Sequence, residues 1–284
     1  MASRVRGLSD IAGETALIAG GGRAILLQVA NPAVGRGVAE HSDFYNRPLN
    51  RLTATLTFIY AVTYGSEDEV AFVRRRVNHA HVPVHSTGDD TGNSKSDGDS
   101  HDDTGTGAPA YDAFDPQLQL WVAATLYETA ITLYERIFGS IEEVVAERIY
   151  REYAVLGTAL QMPPELWPAS RAEFRRYWSE QIGLLAVDDT IRHVADQLLR
   201  PATLPIVLRP FMPSVRLITA GLLDDNLRHQ FRIPWSDRRQ RRYDRLLNTM
   251  GAILPHLPGR MRHVLRDYYL RGLRKDIAAE SRST

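Results

Sequence analysis

The 284-residue chain contains no cysteine, which excludes disulfides, cysteine-ligated zinc, iron–sulfur clusters and thiol nucleophiles together. An excess of either charge is missing too. Thirty-four Lys and Arg stand against thirty-four Asp and Glu, so net charge supplies no footprint for a nucleic-acid partner. Long apolar runs are also lacking. The longest, such as residues 24–30 and 121–126, fall far short of the ~20 residues that a bilayer-crossing helix needs. Asp10, Glu14 and Arg23 interrupt what would be the apolar core of a signal peptide. The expectation is a chain that starts near Met1, has no transmembrane segment and works in the cytosol.

Other absences remove specific chemistries. Gly20-Gly21-Gly22 lacks the spacing and the preceding strand of a dinucleotide-binding turn, and reads as a flexible helix junction. Glu142, Glu143, Glu147 and Glu152 crowd one stretch, but no Glu-x-x-His occurs anywhere, so a di-iron carboxylate bundle is not indicated. The arginines at 228, 232, 238, 239, 241, 242 and 245 are interleaved with Asp237, Asp244 and an apolar face of Leu246, Leu247 and Met250. They read as a solvated helix face rather than a nucleic-acid surface.

What is present is helical. Residues 49–64 place Arg51, Thr55, Phe58, Ile59 and Val62 on one face. Ser66 with Glu69 is a capping box for a helix that Pro83 must stop. Asp115-Pro116 opens a helix carrying Leu118, Trp121, Val122, Thr125 and Leu126 along one stripe. Ser140 with Glu143 suggests a helix over 141–154, and further helices are expected over 171–182, 237–254 and 260–275, with prolines 201, 205 and 210 breaking the region after Leu199. Period-two alternation is scarce. The sequence therefore predicts an all-α fold, a single domain spanning 1–284. It is interrupted by an Asp-, Gly-, Ser- and Thr-rich insertion at 86–109 that has little to bury and is expected to be disordered. That insertion lacks the residue pattern of an EF-hand calcium loop.

Two constellations carry chemistry. Three histidines crowd into residues 78–85 (Asn-His-Ala-His-Val-Pro-Val-His). On a helix from Ser66, Val70, Val73, Val77, Ala80 and Val84 form the strongest apolar stripe, and His81 lies near it. His79 shares the opposite side with Phe72 and Val82. Spacing alone thus favours His81 as a buried imidazole, with a hydrogen-bonded core histidine as the plain alternative. Arg51 and Thr55, four apart, put a guanidinium at the edge of an apolar wall. A buried arginine needs a partner, either an internal carboxylate or a bound anion.

Five stretches, in order, carry a family resemblance: 26–34 (Leu-Leu-Gln-Val-Ala-Asn-Pro-Ala-Val) with 37–42 (Gly-Val-Ala-Glu-His-Ser); Arg51-x-x-x-Thr55; His79-Ala80-x-Val82; Tyr111-x-Ala113-x-Asp115-Pro116; and Trp121-Val122-x-Ala124-Thr125-Leu126. Together they resemble the DUF2236 family, the MpaB/rubber oxygenase catalytic domain that includes latex-clearing protein. The resemblance implies an all-α fold with a globin-like core holding haem b. It also implies His79 as the axial iron ligand, with His81 as runner-up, and Arg51 and Thr55 on the distal side. Latex-clearing proteins carry a lysine just before that threonine, where this chain has Ala54, so a lysine-capped iron is excluded at that position. Many members read Trp-Val-His where this chain has Trp121-Val122-Ala123.

The implied activity is a haem-dependent oxidoreductase that uses O2 to oxidise or cleave a C=C bond of an apolar, isoprenoid- or lipid-like substrate. In it Arg51 and Thr55 would stabilise negative charge developing on the oxygen. Glu40 is a further candidate, as a base. Alternatives are a haem peroxidase or peroxygenase, a non-catalytic haem or apolar-ligand carrier, and a cofactor-free helical scaffold.

Overall fold

The computed structural model describes residues 5–40, 48–82, 84, 111–201 and 204–282. The insertion at 86–109, with its calcium question, lies outside them, as do His41 and Ser42. Among the described residues the regular elements are fourteen α-helices and four short 3₁₀ segments, with no strand. The all-α expectation holds for them.

Three short helices come first: α1 (Leu8–Ala12), α2 (Gly21–Ala30) and α3 (Pro32–Glu40). A packed pair follows, α4 (Pro48–Tyr64) and α5 (Glu67–His81). The longest helix is α6 (Pro116–Phe138), opened by Asp115, whose side chain accepts from Gln117 N at 2.7 Å, with Pro116 in the first turn. Then come α7 (Glu143–Thr158), α8 (Arg171–Leu184), α9 (Asp189–Leu199), α10 (Met212–Leu222), α11 (Asp225–Gln230), α12 (Asp237–Ile253), α13 (Gly259–Arg262) and α14 (Val264–Glu280).

Helix α6 runs through all three apolar clusters. Trp121 packs with α2, α3 and α9, Tyr127 with α7 and α8, and Leu133 and Ile137 with α10 and α12. A helix buried on most of its faces has little need for one apolar stripe, and α6 is apolar almost all round. α2 lies along it. The glycine run at 20–22 is a helix junction, and what it supplies is close approach. A Cβ on Gly22 would sit 2.0 Å from Thr219 Oγ1 of α10, and one on Gly20 would sit 2.7 Å from Thr129 Cγ2 of α6.

Two expected boundaries differ. The helix anticipated over 141–154 begins at Glu143, with Glu142 at its cap and no side-chain capping bond. The Glu143 carboxylate is taken instead by Arg171 at 2.6 Å, and Glu135 accepts from Ile141 N. The helix anticipated over 260–275 is split in two at His263, where Arg262 and His263 both reach the buried carboxylate of Glu14.

Two more of the acids at 142–152 have partners within the protein. Glu147 pairs with Arg151, and Glu152 accepts from Leu8 N, tying α7 to α1. The arginines of α12 are exposed, while Tyr243 and Leu247 turn inward. No single helix among the described residues is long and apolar enough to cross a membrane. One bent pair, Thr15–Ala30 with Pro32–Glu40, passes by length and composition, but it is bent by 100° and its Leu26, Leu27, Val29 and Ala30 belong to the interior.

Candidate functional site

The site starts from the capping box at the head of α5. Ser66 Oγ accepts from Glu69 N (3.3 Å), and Glu69 returns the bond to Ser66 N (3.0 Å), which fixes where the helix begins and so which way His79 and His81 point at its end. Glu69 is itself held by Arg274 of α14 at 2.7 Å. Beyond the last turn, Val84 N donates to His81 O (2.8 Å) and Ala113 N donates to Val84 O (3.0 Å). These two bonds tie the chain leaving α5 to the chain entering α6. They bring Phe114 edge-on to the His81 ring, with centroids 6.1 Å apart at 81°. An amide relay braces the same end: Gln161 donates to Asn78 (2.7 Å), Gln119 donates to Gln161 (2.9 Å), and Gln119 also donates to the Ala113 carbonyl (3.1 Å).

A second set of bonds comes from α2. Trp121 Nε1 donates to Leu27 O (3.3 Å), and Trp121 stacks on Trp178 at 5.4 Å. Gln28 Nε2 donates to Thr125 Oγ1 (3.0 Å), and that hydroxyl donates to Val122 O (2.7 Å). The other end of the same amide, Gln28 Oε1, accepts from Arg51 Nη2 at 3.2 Å. α3 closes on the group through Gly37, where a Cβ would lie 2.2 Å from the Tyr111 ring. The motif stretches, scattered from residue 26 to residue 126, thus converge in one region.

The electrostatics there are distinctive. Arg51 keeps accessible surface, yet enough protein surrounds its guanidinium for desolvation to draw its pKa down to about 10, with Tyr111 acting in the opposite sense. Both observations describe a side chain on the wall of a recess, and the group remains a cation at neutral pH. Burial, then the nearby charge of Arg51, hold the His81 imidazole below its ordinary value, so it is neutral at pH 7. Burial pushes the Tyr111 hydroxyl up, against the pull of Arg51. His81 Nδ1 is buried and has no hydrogen-bond partner among the described residues. An unpartnered buried polar atom costs free energy, and in the tautomer that protonates Nε2 this nitrogen is a lone pair able to bind a Lewis acid.

The anticipated residues are distributed unevenly. Arg51 lies in the recess, and Thr55 follows one turn later on α4, half-buried. His81 faces the recess. His79 is exposed, two residues earlier on the same helix. Glu40, at the end of α3, is exposed and lies 3.8 Å from Arg36. Ala123, next to Trp121 and Val122 on α6, is buried. Two participants were not anticipated as site residues. Gln28, 4% exposed, holds Arg51, and Tyr111 shares its electrostatic environment. The signal for Gln28 was available: it is the one strongly polar residue within the apolar run 24–30.

A single imidazole suffices to hold a haem from the protein side. The donor chemistry fits such a group: a neutral, half-buried histidine with an unpartnered nitrogen, the Arg51 cation near it and the Phe114 ring against it. No cluster of three or more metal-binding side chains occurs among the described residues, so a closed structural metal centre is not formed there. A separate cleft of ≈ 520 Å³ is lined by Asp10, Tyr134, Arg262, His263 and Arg266. It shares no residue with the recess, and its charges are largely spent on one another, Arg262 and His263 on Glu14 and Arg266 on Asp267.

Comparison with known proteins agrees with the convergence. The family described as "ER-bound oxygenase mpaB/B'/Rubber oxygenase, catalytic domain" matches residues 10–252, and the chain belongs to that family. Uncharacterized protein Rv2237 of Mycobacterium tuberculosis and uncharacterized protein Mb2261 of Mycobacterium bovis are each 32% identical to it over 240 residues, covering 82% of this chain and 88% of theirs. No solved structure matches. Membership places the chain among oxygenase domains, a class of oxidoreductase.

Proposed function

We propose that the protein is a haem b-dependent oxygenase that uses O2 to oxidise or cleave a C=C bond of an apolar, isoprenoid- or lipid-like substrate. In this reading the helices enclose the cofactor in a globin-like core, and the chain acts as one domain in the cytosol. The observation that carries it is the meeting of Arg51, Tyr111 and the unpartnered Nδ1 of His81 in one recess, within the span that matches an oxygenase family.

The motif points to His79 as the iron ligand, and the geometry favours His81. His81 is the less exposed of the two, its ring is neutral, and it abuts Phe114. On that ground His81 would be the residue that holds the iron, with His79, which the motif indicates, as the competing ligand. Bound there, haem would supply the iron centre at which O2 is activated. The chain's own residues do the rest. Arg51 holds positive charge at the recess, preorganised by its bond to Gln28, where an oxygen or carboxylate develops or carries negative charge. Thr55 offers a hydroxyl on the same helix. The Trp121–Trp178 stack and the apolar residues of α2 exclude water from behind the site and favour an apolar substrate. Glu40, exposed beside Arg36 at the end of α3, is kept as the candidate base.

The test is optical and then chemical. Purified protein reconstituted with haem should show a Soret band that His81→Ala abolishes and His79→Ala keeps, and the opposite pattern moves the ligand to His79. A wild-type chain that takes up no haem rejects the haem reading, and a band kept in both variants rejects both histidines as the ligand. Turnover of a polyisoprenoid with labelled O2 should place label in the product. Turnover with hydrogen peroxide alone makes the protein a peroxygenase, and haem binding without any turnover makes it a carrier.

A further inference from the structure

The region joining α9 to α10 departs from the rest of the surface. Residues 197–223 hold no Asp or Glu but carry Arg200, Arg209 and Arg216. Within them, the 3₁₀ segment Ile206–Phe211 presents Ile206, Val207 and Phe211 at 78%, 76% and 65% exposure, with Leu208 also exposed. Contiguous exposed apolar side chains of this size mark an interaction site. Prolines restrict its backbone. Pro205 precedes it, Pro210 lies within it, Pro213 follows it, and Leu204 is buried at its root.

Its shape identifies what it meets. At about three residues per turn, successive 3₁₀ side chains point in three directions, so Ile206, Val207 and Leu208 surround a convex tip and share no flat face. A folded partner touches such a tip on one side, whereas a lipid interface envelops it. The charges agree. Arg209 and Arg216 are each braced by Nε to a backbone carbonyl, Leu204 O at 3.2 Å and Met212 O at 3.4 Å, and neither forms an ion pair with a carboxylate among the described residues. Arg200 is the paired one, on Asp196 at 3.1 Å. Apolar side chains at the tip with cations at its base complement an anionic bilayer surface.

We propose that the Ile206–Phe211 tip docks the protein on anionic phospholipid membranes, inserting its apolar side chains at the interface while Arg209 and Arg216 face the lipid phosphates. The proposal is independent of the haem reading, and its test needs no turnover. The full chain should sediment with vesicles of equal parts phosphatidylcholine and phosphatidylglycerol, and much less with phosphatidylcholine alone. Ile206→Asp with Phe211→Asp should weaken that binding by about tenfold or more per side chain, with an unchanged thermal midpoint because both side chains are exposed. Arg209→Ala with Arg216→Ala should weaken it by about fivefold per arginine. Val207→Gln, a milder change, should also reduce it. The proposal is overturned if the wild-type chain stays in the supernatant, if phosphatidylcholine alone binds equally, or if the variants sediment like wild type. It is also overturned if light scattering finds a dimer that the aspartate variant dissociates, which would give the tip to a second copy of the chain.

Discussion

Two regions on either side of α6 show opposite priorities. Around Tyr127 the rings interlock: Phe174 at 5.0 Å, Tyr153 at 5.1 Å and Tyr150 at 5.3 Å, mostly edge-to-face, with Tyr150 stacked on Trp167 at 5.2 Å. Tyr150 donates its proton to Pro168 O at 2.6 Å, and burial raises the Tyr127 hydroxyl to about 12, so these phenols stay neutral and packed. Around Arg51 a cation is held by a neutral amide and an imidazole nitrogen has no partner among the described residues. The first region gains stability from every ring. Rings dominate the first region, where Trp167 Nε1 is the buried polar atom without a partner among the described residues, whereas the second brings a cation, an amide and an imidazole together, the mixed polar company that a binding site requires.

That contrast predicts a separation of effects. Phe174→Ala should cost about 3–5 kcal/mol of stability in urea unfolding, while the protein that remains folded still binds haem. His81→Ala should do the reverse, costing about 1 kcal/mol or less and losing the ligand. If Phe174→Ala is mild or His81→Ala unfolds the chain, the two regions are not divided between packing and binding.

A smaller effect tests how the recess is braced. Gln28→Leu keeps the volume but removes one acceptor of Arg51, and should cost about 1 kcal/mol, since the guanidinium is open to water. In a double-mutant cycle with Arg51→Leu the coupling should be about 0.5–1 kcal/mol. Additive losses would mean that the amide does not position Arg51.

Much of this architecture was legible in the sequence, and the exceptions have a common cause. Ser66 with Glu69 and Asp115 with Pro116 set helix starts because both partners lie within three residues. Ser140 with Glu143 carried the same local signal and failed, because Arg171, 28 residues away, holds the carboxylate. The break at His263 depends on Glu14, some 250 positions distant, and no periodicity reports that. The site divides the same way. Arg51 and His81 were visible as types at a spacing. The Gln28 bond, the contact of Gly37 with Tyr111 and the tie from Val84 to Ala113 exist only once α2, α3 and α6 have packed.

The smallest expected effect concerns protons. The folded-state pKa of His81 lies below its ordinary 6.5 because of burial and Arg51. As pH falls through 6.5, the unfolded chain takes up a proton at this position while the folded chain does not, so folding loses stability on acidification. The loss begins near pH 6.5 and is complete once pH drops below the lowered folded value. His81→Leu removes this contribution alone. The stability advantage of wild type over His81→Leu should therefore shrink between pH 7 and pH 5 in parallel unfolding titrations. A difference that stays constant with pH would put the His81 ring in water and dissolve the contrast between the recess and the aromatic core.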